Sequence, residues 1–312
     1  MLSRRLLRIK VMKTLYSHFK SESDSVAATE KNLIASVDRT YDLYLQMLWL
    51  IVEVARYAEK RIELGRRKKL PTAEDLNPNT KFIDNEVMRQ IERSETLLDL
   101  LEKRRLGWVT HPELIKSLYA AMTESDYYIK YMSSGDGSYR EALQFVEDFY
   151  TQTVEDNETV EETVEEQSIL WADDVDFALF LVVRTLDAFR PTQREIPLLP
   201  QFKNDDDKAF APELLRLTLR NYDEYLSYLD EFTQNWDVER IAFTDNIIMA
   251  AAIAELVGFP SIPVKVTLDE FIEIAKFYST RGSSTFVNGI LDKVIERLSA
   301  EDKIAKVGRG LL

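Results

Sequence analysis

The 312-residue chain contains no cysteine, which excludes disulfides, thiolate metal sites and a cysteine nucleophile and permits a reducing compartment. It has two histidines, His18 and His111, and neither stands in the paired spacing that a helix-borne zinc site requires. Nine glycines and nine prolines are few for a chain of this length, and no glycine-rich phosphate loop follows a strand pattern. The longest apolar run, about Tyr44 to Val54, is roughly half the ~20 residues that a membrane-spanning helix needs, so it reads as a buried core helix. The first residues lack the continuous apolar segment and small-residue cleavage site of a secretory signal. A cytoplasmic chain is expected, and the basic start leaves a mitochondrial presequence as the alternative. The 54 acidic residues make chance carboxylate pairs inevitable and so define no general acid and base. Neither an enzyme, a cofactor, a metal site nor a small-molecule substrate is expected.

Charge is unevenly spread. The formal net charge is −14, yet Glu141 to Asp176 holds thirteen Asp and Glu and no Lys or Arg, leaving the remainder close to neutral. Met1 to Lys20 shows the opposite bias, with six Lys or Arg and no acid. Phosphate contacts are set by local cation density within about a Debye length, ~10 Å at moderate salt, so the acidic total does not exclude a nucleic-acid partner. The acidic run reads as a solvated loop or helix face, with a strip that covers the basic end as the alternative.

What the chain does have is helical periodicity, without sustained two-residue alternation, and the fold class expected is all-α. Leu7, Val11, Leu15 and Phe19 form an apolar stripe in the first helix, leaving Lys10, Lys13 and Lys20 to face out. A very long helix is expected from Val26 to Leu64. Others are expected at about 83–104, 112–132, 139–150, 169–189, 207–233 and 245–256. Residues 190–208, with three prolines and a run of aspartates, make the best internal boundary, giving an N-terminal helical region 1–206 and a C-terminal bundle 207–312. Gly258 before Phe259-Pro260 reads as a left-handed helix stop. Thr267 and Glu270 have capping-box spacing, with Val266 and Phe271 as a hydrophobic staple, and Ser283 or Ser284 can cap the last helix. Asn288-Gly289 inside that helix is locally unfavourable, since Gly costs about 1 kcal/mol relative to Ala. A close helix contact or a ligand would justify it. Glu255, at a helix end, reads as a structural acceptor.

The motifs after residue 207 occur in an ordered series. Asn235-Trp236 with Arg240, Glu255-Leu256, Ile262-Pro263-Val264-Lys265-Val266, Ala275-Lys276 and Phe286-Val287-Asn288-Gly289-Ile290-Leu291-Asp292 together resemble the NusB family of transcription antitermination factors. Arg4-Arg5 followed by Leu15-Tyr16 resembles that family's opening helix. Most of residues 24–202 is then an enlarged second helix plus an insertion, so the resemblance implies NusB-like helical bundles with the N-terminal one enlarged. It also implies binding of single-stranded boxA-like RNA alongside NusE, a small-subunit ribosomal protein, within the RNA polymerase antitermination complex. The RNA residues implied are Arg4, Arg5 and Arg8 for phosphates, with Tyr278, Arg281, Ser284, Phe286 and Asn288 for bases. A ring stacked on an unpaired base contributes about 1–3 kcal/mol. Core packing of Tyr278 and Phe286, and a merely solvated cationic end, are the plainer alternatives. Tyr16, Glu239 and Asp245 are the implied contacts to NusE. The chain departs from the family at Asn246, Ala250 and Thr285, where basic or polar residues are common, and Arg281 is the candidate for replacing that charge. The rival reading is a helical protein-interaction scaffold that has lost RNA binding.

Overall fold

The structure is a computed structural model that describes residues 1–21, 25–233 and 242–311. Among these it contains fifteen α-helices and no strand. They form two compact units, one made of Met1 with Asp38–Gln201, the other of residues 2–37 with the described residues from 202 onward. The first helix therefore belongs with the C-terminal helices rather than with the N-terminal region 1–206 in which the sequence places it.

In the first of these units the central element is α2 (Val26–Arg66), of which the residues from Asp38 belong here. Every residue from Thr40 to Val52 is buried, so this stretch needs polar partners as well as apolar ones. Tyr150 Oη donates to the Met47 and Leu48 carbonyls at 2.9 and 3.0 Å, Trp108 Nε1 to the Gln46 carbonyl at 2.9 Å, and Trp171 Nε1 to the Arg39 carbonyl at 2.6 Å. Tyr44 Oη lies 2.8 Å from Thr185 Oγ1, and burial pushes its pKa up to about 12. Around α2 stand α4 (Glu86–Arg93), α5 (Glu95–Arg104), α6 (Pro112–Glu124), α7 (Asp126–Ser133), α8 (Tyr139–Phe149), α9 (Glu158–Gln167) and α10 (Val175–Leu186), with the short α3 (Ala73–Leu76).

Two helices expected as single pieces in this unit are each broken at a serine. Ser94 ends α4 and caps α5 by accepting from Leu97 N, and Ser125 caps α7 by accepting from Tyr128 N. Apolar periodicity runs across such a residue without a mark, whereas its hydroxyl satisfies the orphan amides of a new helix start. The acidic segment is largely helical: α9 buries Val160 and Val164 while Glu158, Glu161, Glu162, Glu165 and Glu166 are exposed, a solvated helix face.

The second unit is built on α13 (Phe243–Gly258), buried at every position from Ile247 to Leu256. Packed on it are α1 (Arg4–Lys20), α11 (Asp205–Arg220), α12 (Tyr222–Thr233), α14 (Val264–Tyr278) and α15 (Ser283–Ala300). Four alanines on α13, Ala250, Ala251, Ala252 and Ala254, are fully buried and let five neighbours approach closely. The absence of a basic residue at Ala250 is thus a packing requirement, since that position has no access to water. The helix expected over 207–233 is interrupted at Asn221, whose Nδ2 donates to the Leu217 carbonyl at 3.1 Å.

Three local signals are used differently from their sequence reading. Gly258 lies within α13, and a Cβ there would stand 2.3 Å from Leu217 Cδ1, so close approach rather than a left-handed backbone requires it. α14 begins three residues before Thr267 with no side-chain cap; Thr267 and Glu270 are inside the helix and serve tertiary contacts, so neither the capping box nor its staple forms at that point. Gly282, at φ 93°, precedes α15, and Ser283 donates to Asp245 Oδ2 at 2.8 Å.

Glu195 shows how a side chain remote in sequence reinforces a local cap, the Ser94 cap of α5. Its carboxylate accepts from Ser94 Oγ, Glu95 N and Thr96 N at 2.7 to 3.2 Å, and the Ser94 hydroxyl and these amides hold its pKa below the usual Glu value. A depressed carboxyl stabilises the fold above its unfolded pKa and loses that contribution as pH falls through the folded value. Denaturation of wild type and Glu195→Gln at pH 6 and pH 3 should therefore show a smaller acid-induced loss in the variant; equal losses would contradict the cap.

Candidate nucleic-acid interface

The basic face of α1 starts from a cap. Ser3 Oγ accepts from Leu6 N at 3.2 Å, which fixes the helix start and sends Arg4, Arg5 and Arg8 toward α11, α13 and α14. Arg4 Nε donates to Asp207 Oδ1 at 2.8 Å, and its guanidinium lies 5.1 Å from the Phe210 ring centre. Arg5 makes a two-pronged contact with Glu270 at 2.8 and 3.0 Å. Half of the Arg5 side chain is exposed, and an exposed pair of this kind contributes only about 0–1 kcal/mol. A phosphate can therefore compete for it.

Arg8 has a different role from the expected one. Its side chain is 3% exposed, and that of Glu255 is fully buried. The two form a bidentate pair at 2.7 and 2.8 Å, and Thr267 Oγ1 donates to the same carboxylate at 2.8 Å. The Phe210 and Phe271 rings flank the guanidinium at 5.3 and 5.9 Å. Arg8 is thus an internal cation rather than a phosphate ligand, and Glu255 is the structural acceptor its position suggested. Lys10, expected to face out, is also buried.

Long side chains bridge α1 to α14. Arg5 meets Glu270, and Lys13 Nζ lies 5.1 Å from the Tyr278 ring centre. The step is eight residues on both helices, so the two run in the same direction, spanned by long side chains, with the two bridges about 12 Å apart at 1.5 Å per residue. Past Tyr278 comes the turn into α15. There Arg281 is exposed, and Tyr278, Ser284, Phe286 and Asn288 are half-buried, so neither ring sits in the core. The turn is tied down from beneath by Asp245, which accepts from Ser283, itself 2.8 Å from Thr280 Oγ1.

Asp245 accordingly does not belong to an exposed partner face. It is 3% exposed, and its second oxygen, Oδ1, has no hydrogen-bond partner among the described residues. Tyr16 is at the surface, 40% exposed, with its ring edge-on to Phe243 at 5.6 Å. Phe19 stacks on Tyr222 at 4.1 Å, and Lys20 Nζ lies 4.6 Å from the Phe243 ring centre. Glu239, the third expected contact, lies outside the described residues, as does the whole Asn235–Arg240 motif. The Lys13–Tyr278 bridge and the counter-ions Glu270 and Asp207 escaped the sequence reading, because each pairs residues more than 200 positions apart.

The NusB family model matches residues 177–296, beginning upstream of Asp207, where the motif series was first discerned. The transcription antitermination protein NusB of Salinibacter ruber is 39% identical over 114 residues, which are 36% of this chain and 71% of that protein. The chain belongs to the NusB family. The NusB of Thermodesulfovibrio yellowstonii is 35% identical over 104 residues, 33% of this chain and 69% of the relative, and that of Chloroherpeton thalassium is 37% identical over 105 residues, 34% of this chain and 50% of the relative. No solved structure matches the chain. α2 after Val37 and the helices up to α9 lie before the matched NusB region.

Two measurements probe this site. Removing one member of a buried charge pair strands the other, at a loss of about 3–5 kcal/mol, so Arg8→Ala and Glu255→Ala should each lower unfolding stability by that much, and Arg8→Met with Glu255→Leu by much less. Additive losses in the double variant would rule out coupling. A Cβ at Gly289 would meet nothing within 4 Å, so no close helix contact explains that glycine. Gly289→Ala should stabilise the free protein by about 0.5–1 kcal/mol in chemical denaturation.

Proposed function

We propose that this chain is a NusB-type transcription antitermination factor that binds single-stranded boxA-like RNA together with the NusE ribosomal protein and acts in the cytoplasm within the RNA polymerase antitermination complex. Support comes above all from one observation: α1 and α14 run in the same direction, bridged by long side chains, with solvent-accessible cations at one end and a turn carrying two half-buried rings and the exposed Arg281 at the other. Phosphates engage Arg4 and Arg5, while unstacked bases meet Tyr278 and Phe286, with Ser284 and Asn288 as polar readers. NusE engages the aromatic group around Tyr16, together with Glu239. Such a factor works by binding rather than by catalysis. Among the described residues no helix is long and apolar enough to cross a membrane.

The scaffold reading draws its support from the same ion pairs, because Arg4, Arg5 and Arg8 all carry internal counter-charges. One titration separates the two. A boxA-type RNA should bind with an affinity that falls with salt, and the Arg4→Ala, Arg5→Ala double variant should reduce that slope by about 1.4, at roughly 0.7 per phosphate contact on a single strand. Phe286→Ala should weaken RNA binding by about 1–3 kcal/mol with NusE affinity retained. A protein that binds NusE and no RNA at any salt would establish the scaffold instead.

A further inference from the structure

We infer that the segment after α15 completes an RNA-phosphate subsite at the N-terminal end of α1, with Arg309 as its third cation; this rests on the RNA-binding reading above. An open cleft of about 670 Å³ lies there, lined by Arg4, Arg5, Arg309, Pro263, Val266 and Glu270, among others. Arg4 pairs with Asp207 and Arg5 with Glu270, and Glu270 is also approached by Arg8. Arg309 is exposed and makes no ion pair or hydrogen bond through its side chain among the described residues.

What makes Arg309 more than a loose surface cation is the way its backbone is fastened. Val307 N donates to the Pro260 carbonyl at 3.0 Å, and the half-buried Lys306 donates to the Phe259 carbonyl at 3.1 Å, burial lowering its pKa. Gly310 presses against the same Pro260 carbonyl so closely that a Cβ would stand 2.0 Å from the oxygen. Upstream, Lys303 is held by Glu224 at 2.8 Å. A segment so clamped holds Arg309 at the cleft without paying the ordering entropy on binding that a free strand would. Its guanidinium fork matches a phosphodiester in two-pronged fashion, and the apolar Pro263 and Val266 beneath suit a ribose. The family match ends at residue 296, so this cation comes from outside the matched region.

The test uses the full chain, Arg309→Ala, Gly310→Ala and, as reference, Arg5→Ala. Each is titrated with a boxA-type single-stranded RNA and with a scrambled RNA of equal length, from about 50 to 200 mM salt. Arg309→Ala should weaken both RNAs several-fold to the same degree, flatten the salt slope by about 0.7, and leave the melting temperature unchanged. Gly310→Ala should do the same to binding while keeping the cation, because the Cβ expels the arm from Pro260. Wild-type affinity and slope in either variant, with Arg5→Ala weakened, would overturn the subsite and leave the RNA-binding reading standing. A loss confined to one RNA sequence would also overturn it, since phosphate contacts carry no sequence information. Failure of the wild type to bind either RNA would remove the RNA-binding reading and this inference together.

Discussion

A guanidinium and a carboxylate that are both withdrawn from water destabilise the fold that buries them unless they pair with each other. Arg8 on α1 and Glu255 on α13 meet that condition with two parallel hydrogen bonds, a third from Thr267, and aromatic rings on either side of the charge. The pair fixes the height and rotation of α1 against α13, and the placing of the other cations on α1 follows from it. With Arg8 turned inward, Arg4 and Arg5 face Asp207 and Glu270 near the surface, Lys13 reaches Tyr278, and Tyr16 emerges at the far end. One buried contact thus divides a single basic helix into an internal anchor and an outer, exchangeable edge.

The other unit solves a related problem with neutral groups. Its central helix is buried all round between Thr40 and Val52, and three of the rings packed on it carry one polar atom each. Tyr150, Trp108 and Trp171 place that atom on α2 carbonyls, so large apolar area and polar satisfaction arrive in the same side chain. Lys81 does similar work nearby, donating to the Tyr131 and Ser134 carbonyls at the end of α7 and to Glu141. A segment rich in acid can fold here because its glutamates stay in water while a few valines, Val154, Val160 and Val164, go inside.

Helix content and the long α2 were legible from apolar spacing alone, because that spacing is a local property of the chain. The motif series ending in Phe286–Asp292 was legible too, and it pointed to the family that the comparisons establish. What could not be read was allocation. Six cations without an acid look alike in sequence, yet Arg8 and Lys10 are buried while Arg5 is half in water. Thr267, Glu270 and Ser283 have the right chemistry for caps, but tertiary partners claim them first. Gly258 and Gly310 are set by what lies across from them, Leu217 and Pro260, which no reading along the chain can supply. Asp245 fails as a surface contact for the same reason, since Ser283 approaches it from thirty-eight residues away.

The sequence separation of the anchoring pair also sets a schedule. Arg8 and Glu255 are 247 residues apart, and at a synthesis rate of about 5–20 residues per second the arginine waits on the order of ten to fifty seconds for its carboxylate. In that interval residues 38–201 emerge complete and can fold around α2, while α1 remains an amphipathic cationic segment with its apolar stripe uncovered. For much of its synthesis the nascent chain therefore carries, in α1, a sticky and positively charged segment that α11 and α13 have yet to cover.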